Sequence, residues 1–393
     1  MTHHTSDSTT INDVLEHLTA NGLEGMAHAV EILLNEAMKL ERSEFLGAGH
    51  YERTAGRQGF ANGFKPKRVK TRVGELNLSV PKARGLPEGV EPFYPSALER
   101  GLRSERALTL AVAEMYVQGV STRKVAQVTK ELCGLDITSQ QVSRASQLLD
   151  EELEGWRARP LGEFPFVILD ARYEKVRHGN QVRSTAVLVA TGVDAAGKRS
   201  VLGVSTCLSE AEVHWREFLR SLVVRGLVGT QLITSDDHEG LKAALRAVFP
   251  GVPWQRCQTH LQRNATAYVP RLDMREKVAG DIRSIFNAPD RHEADRLLAK
   301  AVETYSETAP KLAEWMESNI PEGLEVFALP AHQRRRLRTS NLVERLNREL
   351  KRRTRVATLF PNEASLLRLV SAVLVEVSEE WETGRIYIRM DQA

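Results

Sequence analysis

The sequence contains few cysteines and no long hydrophobic run. Only Cys133, Cys207 and Cys257 occur in 393 residues, and three scattered thiols do not form a disulfide framework, which favours a reducing compartment. No apolar run approaches the roughly 20 residues that a membrane-spanning helix needs. The opening segment, MTHHTSDSTT, has no apolar core, so no signal peptide is expected. These absences predict a cytoplasmic protein without membrane association.

Neither sign of charge is in large excess. The 54 Lys and Arg residues nearly balance the 51 Asp and Glu residues, which leaves a formal net charge of +3. Basic clusters must be offset by acidic surfaces elsewhere, so local charge is more informative than the total. With 42% hydrophobic and 27% charged residues, the composition is that of a soluble globular protein. The length allows two or three domains.

Positive charge is concentrated at 333–356, a stretch without aspartate. Thr339 or Ser340 is expected to cap a helix there with its side-chain oxygen. The helix holds the carboxylate of Glu344 in a field of positive charge. Helical spacing places Glu344 on one face with Asn341 and Asn347 (or Arg348). Leu342, Leu346 and Leu350 form an apolar stripe beside that face. A solvated basic helix with an ordinary Glu–Arg pair fits this segment equally well.

The first 150 residues carry two patterns that favour DNA contact. After helical periodicity over 11–40, alternating residues predict a basic hairpin at about 64–81 that turns around Gly74. A solvated edge strand guarded by lysines would look the same. Two short helices around Gly134, at about 121–149, resemble a helix-turn-helix, although many helical hairpins bind nothing. The candidate DNA-binding residues here are Lys67, Arg68, Lys70, Arg72, Arg123, Gln140, Gln141 and Arg144.

From Pro165 onward the pattern changes to apolar strands. The run 166–169 ends at Asp170, further strands are predicted at 185–193 and 199–208, and a fourth at 231–234 leads to Asp236. Helical spacing occurs at 211–222 and 239–249, which is the series expected for a mixed sheet flanked by helices. Residues 261–330 lack strand signals and are predicted to be helical, as is 363–381.

Asp170, Asp236 and Glu344 are candidate metal ligands. A polar side chain at the end of a strand lies at the sheet rim, where sites are found in open α/β sheets. Three carboxylates can hold two hard divalent cations, which clamp the attacking and leaving oxygens of a phosphoryl displacement. Nearby arginines can neutralise nucleic-acid phosphates. Taken singly, each acidic residue is more often a surface or capping group.

Several segments together resemble the mutator-type transposases of bacterial insertion sequences. The segments are L-D-A-R-Y-E-K-V-R at 169–177, S-D-D-H-E-G-L-K-A-A at 235–244, C-Q-T-H at 257–260 and T-S-N-L-V-E-R-L-N-R-E at 339–349, with N-G-F-K at 62–65, T-R-V-G-E-L-N-L-S-V-P at 71–81 and M-Y-V-Q-G-V-S-T-R at 115–123. The resemblance implies an RNase H-like catalytic domain with a D-D-E metal triad and an all-helical insertion before the glutamate.

Transferred by position, the triad falls on Asp170, Asp236 and Glu344, with Asp237 at the variable place of its motif. Cys257 and His260 match a family signature near the active site. Their spacing alone could be half a zinc site, but no second Cys/His pair is evident nearby. The expected active-site neighbours are Cys257, His260, Asn341 and Asn347, and the DNA contacts expected from the basic helix are Arg345, Arg348 and Arg352.

We therefore expect an α/β catalytic core with an RNase H-like mixed sheet, interrupted by an all-helical insertion and preceded by a mainly helical DNA-binding region with a β-hairpin. The expected divisions are 1–150 for DNA binding, 160–262 for the first part of the catalytic domain, 263–332 for the insertion, and 333–393 for the glutamate helix and a C-terminal helix.

The resemblance implies a DNA transposase that binds the ends of its insertion sequence, cleaves phosphodiester bonds and transfers 3′ hydroxyl ends. The expected cofactors are two Mg²⁺ ions per active site, with Mn²⁺ as a substitute. The expected partners are double-stranded DNA, as terminal inverted repeats and target, and a second copy in a homodimer or larger complex, associated with the nucleoid. The rivals are a helix-turn-helix regulator and an RNase H-type nuclease that does not join ends.

Overall fold

The chain divides into two units, which are described here separately. The computed structural model describes residues 5–49, 51–98, 100, 104–355 and 359–390. The first unit extends to Tyr116 and includes Val120–Leu148, and the second comprises Val117–Gly119 and the chain from Leu149 onward. None of the described helices is long and apolar enough to cross a membrane.

The first unit packs a long helix against a two-stranded sheet. Its elements are α1 (Thr5–Asn21), α2 (Met26–Leu46), β1 (Phe60–Thr71), β2 (Gly74–Arg84), α3 (Arg106–Val117), α4 (Thr122–Cys133) and α5 (Ser139–Ser146). Met38 of α2 is buried against Leu76 and Leu78 of β2. Glu31 and Asn35 accept hydrogen bonds from backbone amides of β2, so α2 covers an edge that would otherwise be open to pairing.

Three local features of this unit differ from the sequence expectations. The periodicity at 11–40 is not one helix, because a 3₁₀ turn at Gly22–Gly25 separates α1 from α2. The hairpin extends beyond 64–81 at both ends. Its turn residues are Arg72 and Val73, and Gly74 opens β2 with a φ of 124°, which favours glycine.

The two-helix unit forms around well-defined caps. Ser121 caps α4 by accepting from the Lys124 amide, and Gly134 ends α4 in the left-handed region with a φ of 65°. Thr138 and Gln141 form a capping box at the start of α5. The second helix is shorter than the expected 139–149, because a 3₁₀ turn at Gln147–Leu149 follows α5.

The second unit is a mixed α/β structure. Its elements are α6 (Asp150–Ala158), β3 (Phe166–His178), β4 (Gln181–Val193), β5 (Arg199–Cys207), α7 (Glu212–Val224), β6 (Leu232–Ser235), α8 (Glu239–Val248), β7 (Trp254–Arg256), α9 (Gln258–Ala265), α10 (Arg275–Phe286), α11 (Arg291–Ser306), α12 (Pro310–Asn319), α13 (Ala331–Leu337), α14 (Asn341–Thr354) and α15 (Glu363–Thr383).

Five strands form the sheet in the order β5-β4-β3-β6-β7. The pairs β3–β4 and β4–β5 are antiparallel, whereas β3–β6 and β6–β7 are parallel. The sequence expectations missed β7, because it has only three residues and no alternation. The expectation that the first strand ends at Asp170 was also wrong. β3 continues to His178, since β4 pairs with it along its whole length.

Helices cover the sheet, and most of the remaining helices pack together. Trp215 and Phe218 of α7 and Leu241 of α8 pack on one face with Val167 and Leu169 of β3. Helices α9 to α12 share a separate apolar cluster that includes Ile282, Leu312 and Met316, together with Phe166 and Leu232 from the starts of β3 and β6. All the regular elements described between β7 and α14 are helices, as the absence of strand signals at 261–330 predicted.

The C-terminal helix α15 is largely buried within its own unit. The hydroxyl of Ser378 accepts a hydrogen bond from the Val201 amide of β5 at 3.0 Å. Arg368, which is 5% exposed, pairs with Asp150. Since both apolar and polar positions of α15 serve intrachain packing, this helix does not offer the free apolar face that its sequence pattern allows.

Candidate active site

Asp170 lies where two sheet neighbours of β3 differ in length. β6 pairs with β3 only from Phe166 to Ile168, whereas β4 continues past Asp170. Asp170 therefore faces the gap beyond the end of β6 although its own strand continues. Side chains alternate along a strand, so Asp170 shares a face with Phe166 and Ile168, opposite the face that packs on α7 and α8.

Helix α14 is fixed across this face by contacts to β3. The Asn347 amide nitrogen donates to Asp170 Oδ2, and Arg172 donates to the Asn347 carbonyl at 2.9 Å. Farther along, Thr354 Oγ1 donates to Glu174 at 2.9 Å. Alternate residues of β3 thus bind α14 at two points, Asn347 and Thr354. The R-Y-E of the first motif contains this signal, but sequence reasoning assigned no role to Arg172 or Glu174.

The segment that leads into α14 is attached to the sheet and to α9. Thr234 of β6 donates a hydrogen bond to the carbonyl of Leu337, the last residue of α13, at 2.8 Å. Ser340 is the N-cap residue of α14, but its side chain does not cap the helix as expected. The Ser340 hydroxyl and backbone amide instead contact Cys257 Sγ at 3.2 and 3.3 Å. Ser340 has a φ of −81° and a ψ of 14°, which is not the extended conformation typical of a capping N-cap residue.

His260 links the second and third carboxylates. His260 lies on the first turn of α9, and Asp236 directly follows the end of β6. The Nδ1 atom of His260 is in direct contact with Asp236 Oδ1. Its Nε2 lies 4.0 Å from Glu344 Oε1 on α14. Asp170, Asp236 and Glu344 therefore come from three elements that surround one small region.

Three titratable groups of this region, Asp170, His260 and Cys257, have shifted pKa values. Burial raises the pKa of Asp170 to about 7, and the neighbouring charge of Asp236 adds to the shift. The contact with Asp236 raises the pKa of His260 to about 10, with a further contribution from Cys257. Burial alone would raise the pKa of Cys257, but interactions with His260 and Ser340 outweigh burial and lower it. The negative charge of Asp236 thus contributes to the raised pKa of both Asp170 and His260.

Asp237, directly after Asp236, has a different environment. One of its oxygens lies 2.7 Å from Lys242 Nζ, and the other lies 3.0 Å from the Arg256 guanidinium. Arg256 is 3% exposed and also pairs with Glu322 at 2.8 Å. Both oxygens of Asp237 are thus occupied by cations of the chain.

The ligand atoms of the three carboxylates are oxygens, the donor type that hard divalent cations prefer. Glu344 Oε1 is a buried atom without a hydrogen bond in the described chain, whereas Asp236 Oδ1 is in direct contact with His260 Nδ1. Buried carboxylate oxygens that lack donors are costly, and a cation would satisfy them. Asp236 also belongs to a second cluster, with Cys257 and His260, whose ligand atoms lie within 4.8 Å of one another.

The other candidates on α14 divide into two groups. Arg345 and Arg348 are exposed, while Arg352 pairs with Glu349 at 2.7 Å. Glu349 also binds Arg353 at 2.9 Å, and the hydrogen bonds from these arginines lower its pKa to about 2. Asn341 is exposed, and no hydrogen bond between its side chain and the three carboxylates is present in the described residues.

The candidate DNA-contacting side chains of the first unit differ in their exposure and in their contacts within the unit. Arg72 pairs with Glu105, and Lys70 donates to the Asp136 carbonyl at 2.7 Å. Lys67 donates to the Tyr94 hydroxyl at 2.7 Å. The Gln141 carbonyl oxygen accepts from the Thr138 amide in the capping box. The exposed members of the set are Arg68, Arg72, Arg123, Gln140, Gln141 and Arg144.

Comparison with known proteins gives matches over nearly the whole chain. The profile of the family described as "Transposase, Mutator family" matches residues 1–384. The transposase for insertion sequence element IS406 of Burkholderia multivorans is 57% identical over 376 residues, which cover 95% of this chain and 96% of that protein. The transposase for ISRM5 of Rhizobium meliloti is 40% identical, with 98% and 96% covered.

More distant relatives also match along their full length. The transposase for IS256 in transposon Tn4001 of Staphylococcus aureus is 35% identical, with 99% of both chains covered. Among solved structures, a Mos1 transposase paired-end complex covers 62% of this chain and 83% of its own at 12% identity, but its TM-score of 0.16 is too low to support any conclusion. The family resemblance inferred from the motifs is confirmed: the chain belongs to the Mutator family of transposases.

Proposed function

We propose that this protein binds the ends of its own insertion sequence, cleaves phosphodiester bonds there and transfers the 3′ hydroxyl ends to target DNA. The observation that carries the proposal is the convergence of Asp170, Asp236 and Glu344 from β3, the end of β6 and α14. Glu344 brings a buried oxygen without a hydrogen-bond donor in the described chain. The charged partner of Asp236 is His260, and the pKa of Asp170 is raised to about 7. Such strained groups are typical of functional sites.

The topology of the second unit supports an RNase H-like catalytic core. Three successive antiparallel strands are followed by two parallel strands that are reached through helices. The helices α9 to α13, between Asp236 and Glu344, support the proposal of a helical insertion at 263–332. With this assignment, 160–262 and 333–393 contribute to one catalytic domain, and 1–150 serves DNA binding.

Asp170, Asp236 and Glu344 would hold two Mg²⁺ ions, with Mn²⁺ as a substitute. The chemistry that these ions supply when bound is activation of the attacking oxygen and stabilisation of the leaving oxygen in an in-line displacement. Hydrolysis and joining differ only in whether water or a 3′ hydroxyl attacks. No histidine is needed as a general base, because the main task of the side chains is to hold the ions.

The neighbouring side chains position the three ligands. Asn347 restrains one oxygen of Asp170 through its amide nitrogen, and the backbone amide of Ala171 binds the other at 2.9 Å. His260 holds Asp236 and lies beside Glu344. Fixing ligands before substrate arrives lowers the reorganisation that the reaction requires. Arg345, Arg348 and Arg352, on the same helix as Glu344, are proposed to neutralise DNA phosphates.

The DNA partners are proposed to be the terminal inverted repeats and the target duplex. Gln140, on the first turn of α5, and Arg144, in its last turn, are exposed. Both are proposed to read base edges, as residues of the second helix do in a helix-turn-helix. Arg68 and Lys67 of the hairpin are proposed to contact phosphate. Because two ends are cut and joined together, the active complex is proposed to contain at least two copies of the chain at the nucleoid.

Labelled end DNA tests this function directly. The protein is incubated with Mg²⁺ or Mn²⁺ and a duplex that carries the repeats flanking the gene, and both cut and joined products are measured. A regulator would bind without cutting, and a nuclease would cut without joining. We expect both products, neither of them in the presence of EDTA. Binding without metal-dependent cleavage would overturn the proposal.

A further inference from the structure

We propose that Asp236, Cys257 and His260 form a site for a thiophilic divalent cation of the Zn²⁺ class. A carboxylate oxygen, a sulfur and an imidazole nitrogen from these residues lie within 4.8 Å of one another. Zinc binds all three ligand types, whereas Mg²⁺ takes oxygen ligands. This donor set therefore selects a softer cation than the carboxylates of Asp170 and Glu344 do.

The ligands are held by two elements that are fixed to each other. The Cys257 amide donates to the Ser235 carbonyl at 2.8 Å, which joins the start of α9 to the end of β6. Cys257 is the N-cap residue of α9, and His260 follows on its first turn. Residues three apart on a helix project from the same side. Asp236 leaves β6 directly beside them.

The sulfur is prepared to act as a ligand. Cys257 is 0% exposed, and its Sγ faces the Ser340 amide and hydroxyl at 3.3 and 3.2 Å. Hydrogen bonds to a ligating atom are the outer contacts that orient ligands in metal sites. A helix N-terminus favours the thiolate form that binds metals. Cys207, by contrast, has its Sγ 3.2 Å from the Ser209 carbonyl and lies outside the cluster.

The site is suited to exchange rather than to a structural role. Structural zinc has four protein ligands, whereas three ligands leave one position open. The Asp236 side chain is 39% exposed and that of His260 is 22% exposed, so the open position can be reached from solvent. Ligand atoms around tetrahedral zinc lie about 3.5 Å apart. The upper limit of 4.8 Å between the three ligand atoms exceeds this spacing by about 1.3 Å, so cation binding requires small side-chain movements.

The consequence for activity rests on the proposed function. Asp236 cannot complete the Mg²⁺ site while it binds a cation beside Cys257, so a zinc-class cation competes with Mg²⁺ and inhibits cleavage. The site thus gives the enzyme a means of responding to thiophilic metal through one shared ligand.

The test uses Co²⁺ as a spectroscopic substitute for Zn²⁺ on the full-length, metal-free protein. We expect one Co²⁺ per chain, with sulfur-to-cobalt charge-transfer absorption that Zn²⁺ abolishes by displacement. Cys257→Ser should remove this absorption and weaken Co²⁺ binding more than about tenfold, since it removes one of three ligands. The matched control, Cys207→Ser, should keep both. Asp236→Asn should weaken binding but keep the sulfur absorption, which tests the site even if Cys257→Ser does not fold.

Three results would overturn the proposal. The first is the absence of sulfur absorption in the native protein, and the second is its persistence in folded Cys257→Ser. The third is Co²⁺ binding whose affinity does not change when Mg²⁺ or Mn²⁺ is added, because a shared Asp236 requires competition. These are binding measurements, so they remain decisive if the protein fails to cleave end DNA. That failure would count against the proposed function and not against the cation site.

Discussion

Two groups of acidic side chains lie beside each other at the end of β6, and their partners differ. Asp237 and Glu322 are held by Lys242 and Arg256 in a network of ion pairs. Asp236, one residue earlier, has no Lys or Arg partner among the described residues and contacts His260. The comparison separates carboxylates that pair with cations of the chain from a carboxylate that we propose to be a ligand of a bound cation.

The same contrast occurs on α14. Glu349 is paired with Arg352 and Arg353, whereas Glu344 Oε1 is buried without a hydrogen bond. The two residues are five positions apart and project in different directions. Charge density along the sequence is similar around both, so only the contacts distinguish them.

The largest expected effect separates the two aspartates. Asp236→Asn should lower cleavage of end DNA by a factor on the order of 10³ or more, because a charge that balances the cations is lost. Asp237→Asn should keep substantial activity, since its partners are Lys242 and Arg256. The measurement is the initial rate of Mg²⁺-dependent cleavage by each variant. A larger loss in Asp237→Asn would reverse the assignment.

The next effect concerns stability. Arg256→Met leaves Asp237 and Glu322 without their buried partner, which should lower the free energy of unfolding by about 3 kcal/mol. The exposed Arg246 of α8 provides the control, and Arg246→Met should change the free energy of unfolding by less than about 0.5 kcal/mol. Denaturant unfolding of the metal-free protein measures both. If Arg256→Met were as stable as the Arg246→Met control, the ion pairs of Arg256 would not stabilise the fold.

An effect of similar size depends on pH. Asp170 has a pKa of about 7 in the folded protein and about 3.9 when unfolded, so ionisation progressively destabilises the metal-free fold as pH rises from about 4 to 7. Asp170→Asn should remove this penalty and stabilise the protein at pH 8, by at most about 4 kcal/mol at 1.4 kcal/mol per pKa unit. The gain should shrink toward pH 4. Thermal unfolding in EDTA at both pH values checks the sign, and a loss of stability at pH 8 would contradict it.

The smallest expected effect is on DNA selectivity. Arg144→Ala should reduce the preference for terminal-repeat over random duplex by about 1 kcal/mol, since a base contact is lost. Lys67→Ala should change the preference less, because phosphate contacts carry no sequence information. Competition binding at several salt concentrations measures both, and affinity should fall steeply with salt. Equal binding of the native protein to random and repeat duplexes would refute the selectivity.

The sequence indicated which elements exist better than it indicated their ends. Strong alternation and apolar runs located β3, β4, β5 and β6, but the continuation of β3 past Asp170 depends on pairing with β4. The three-residue β7 carries no periodic signal. Ser340 reads as a capping residue until the position of Cys257 is known, because local patterns contain no information on distant partners.

The candidate site residues were assigned from sequence motifs, not from side-chain contacts, which the sequence does not reveal. Order and spacing selected Asp170, Asp236 and Glu344, and the resemblance assigned Asp237 to a variable place. An observation that supports that assignment, the pairing of Asp237 with Lys242 and Arg256, appears only in three dimensions. The role of Arg172 in holding α14 has the same origin.

The most direct test of the central claim compares the two glutamates of α14. Glu344→Gln and Glu349→Gln each remove one charge from the same helix and leave its shape nearly unchanged. Cleavage of labelled end DNA is measured for both, together with end binding. We predict that Glu344→Gln binds DNA but loses cleavage and joining by orders of magnitude, while Glu349→Gln retains substantial activity. Near-native cleavage by Glu344→Gln would contradict the assignment of Glu344 as a metal ligand.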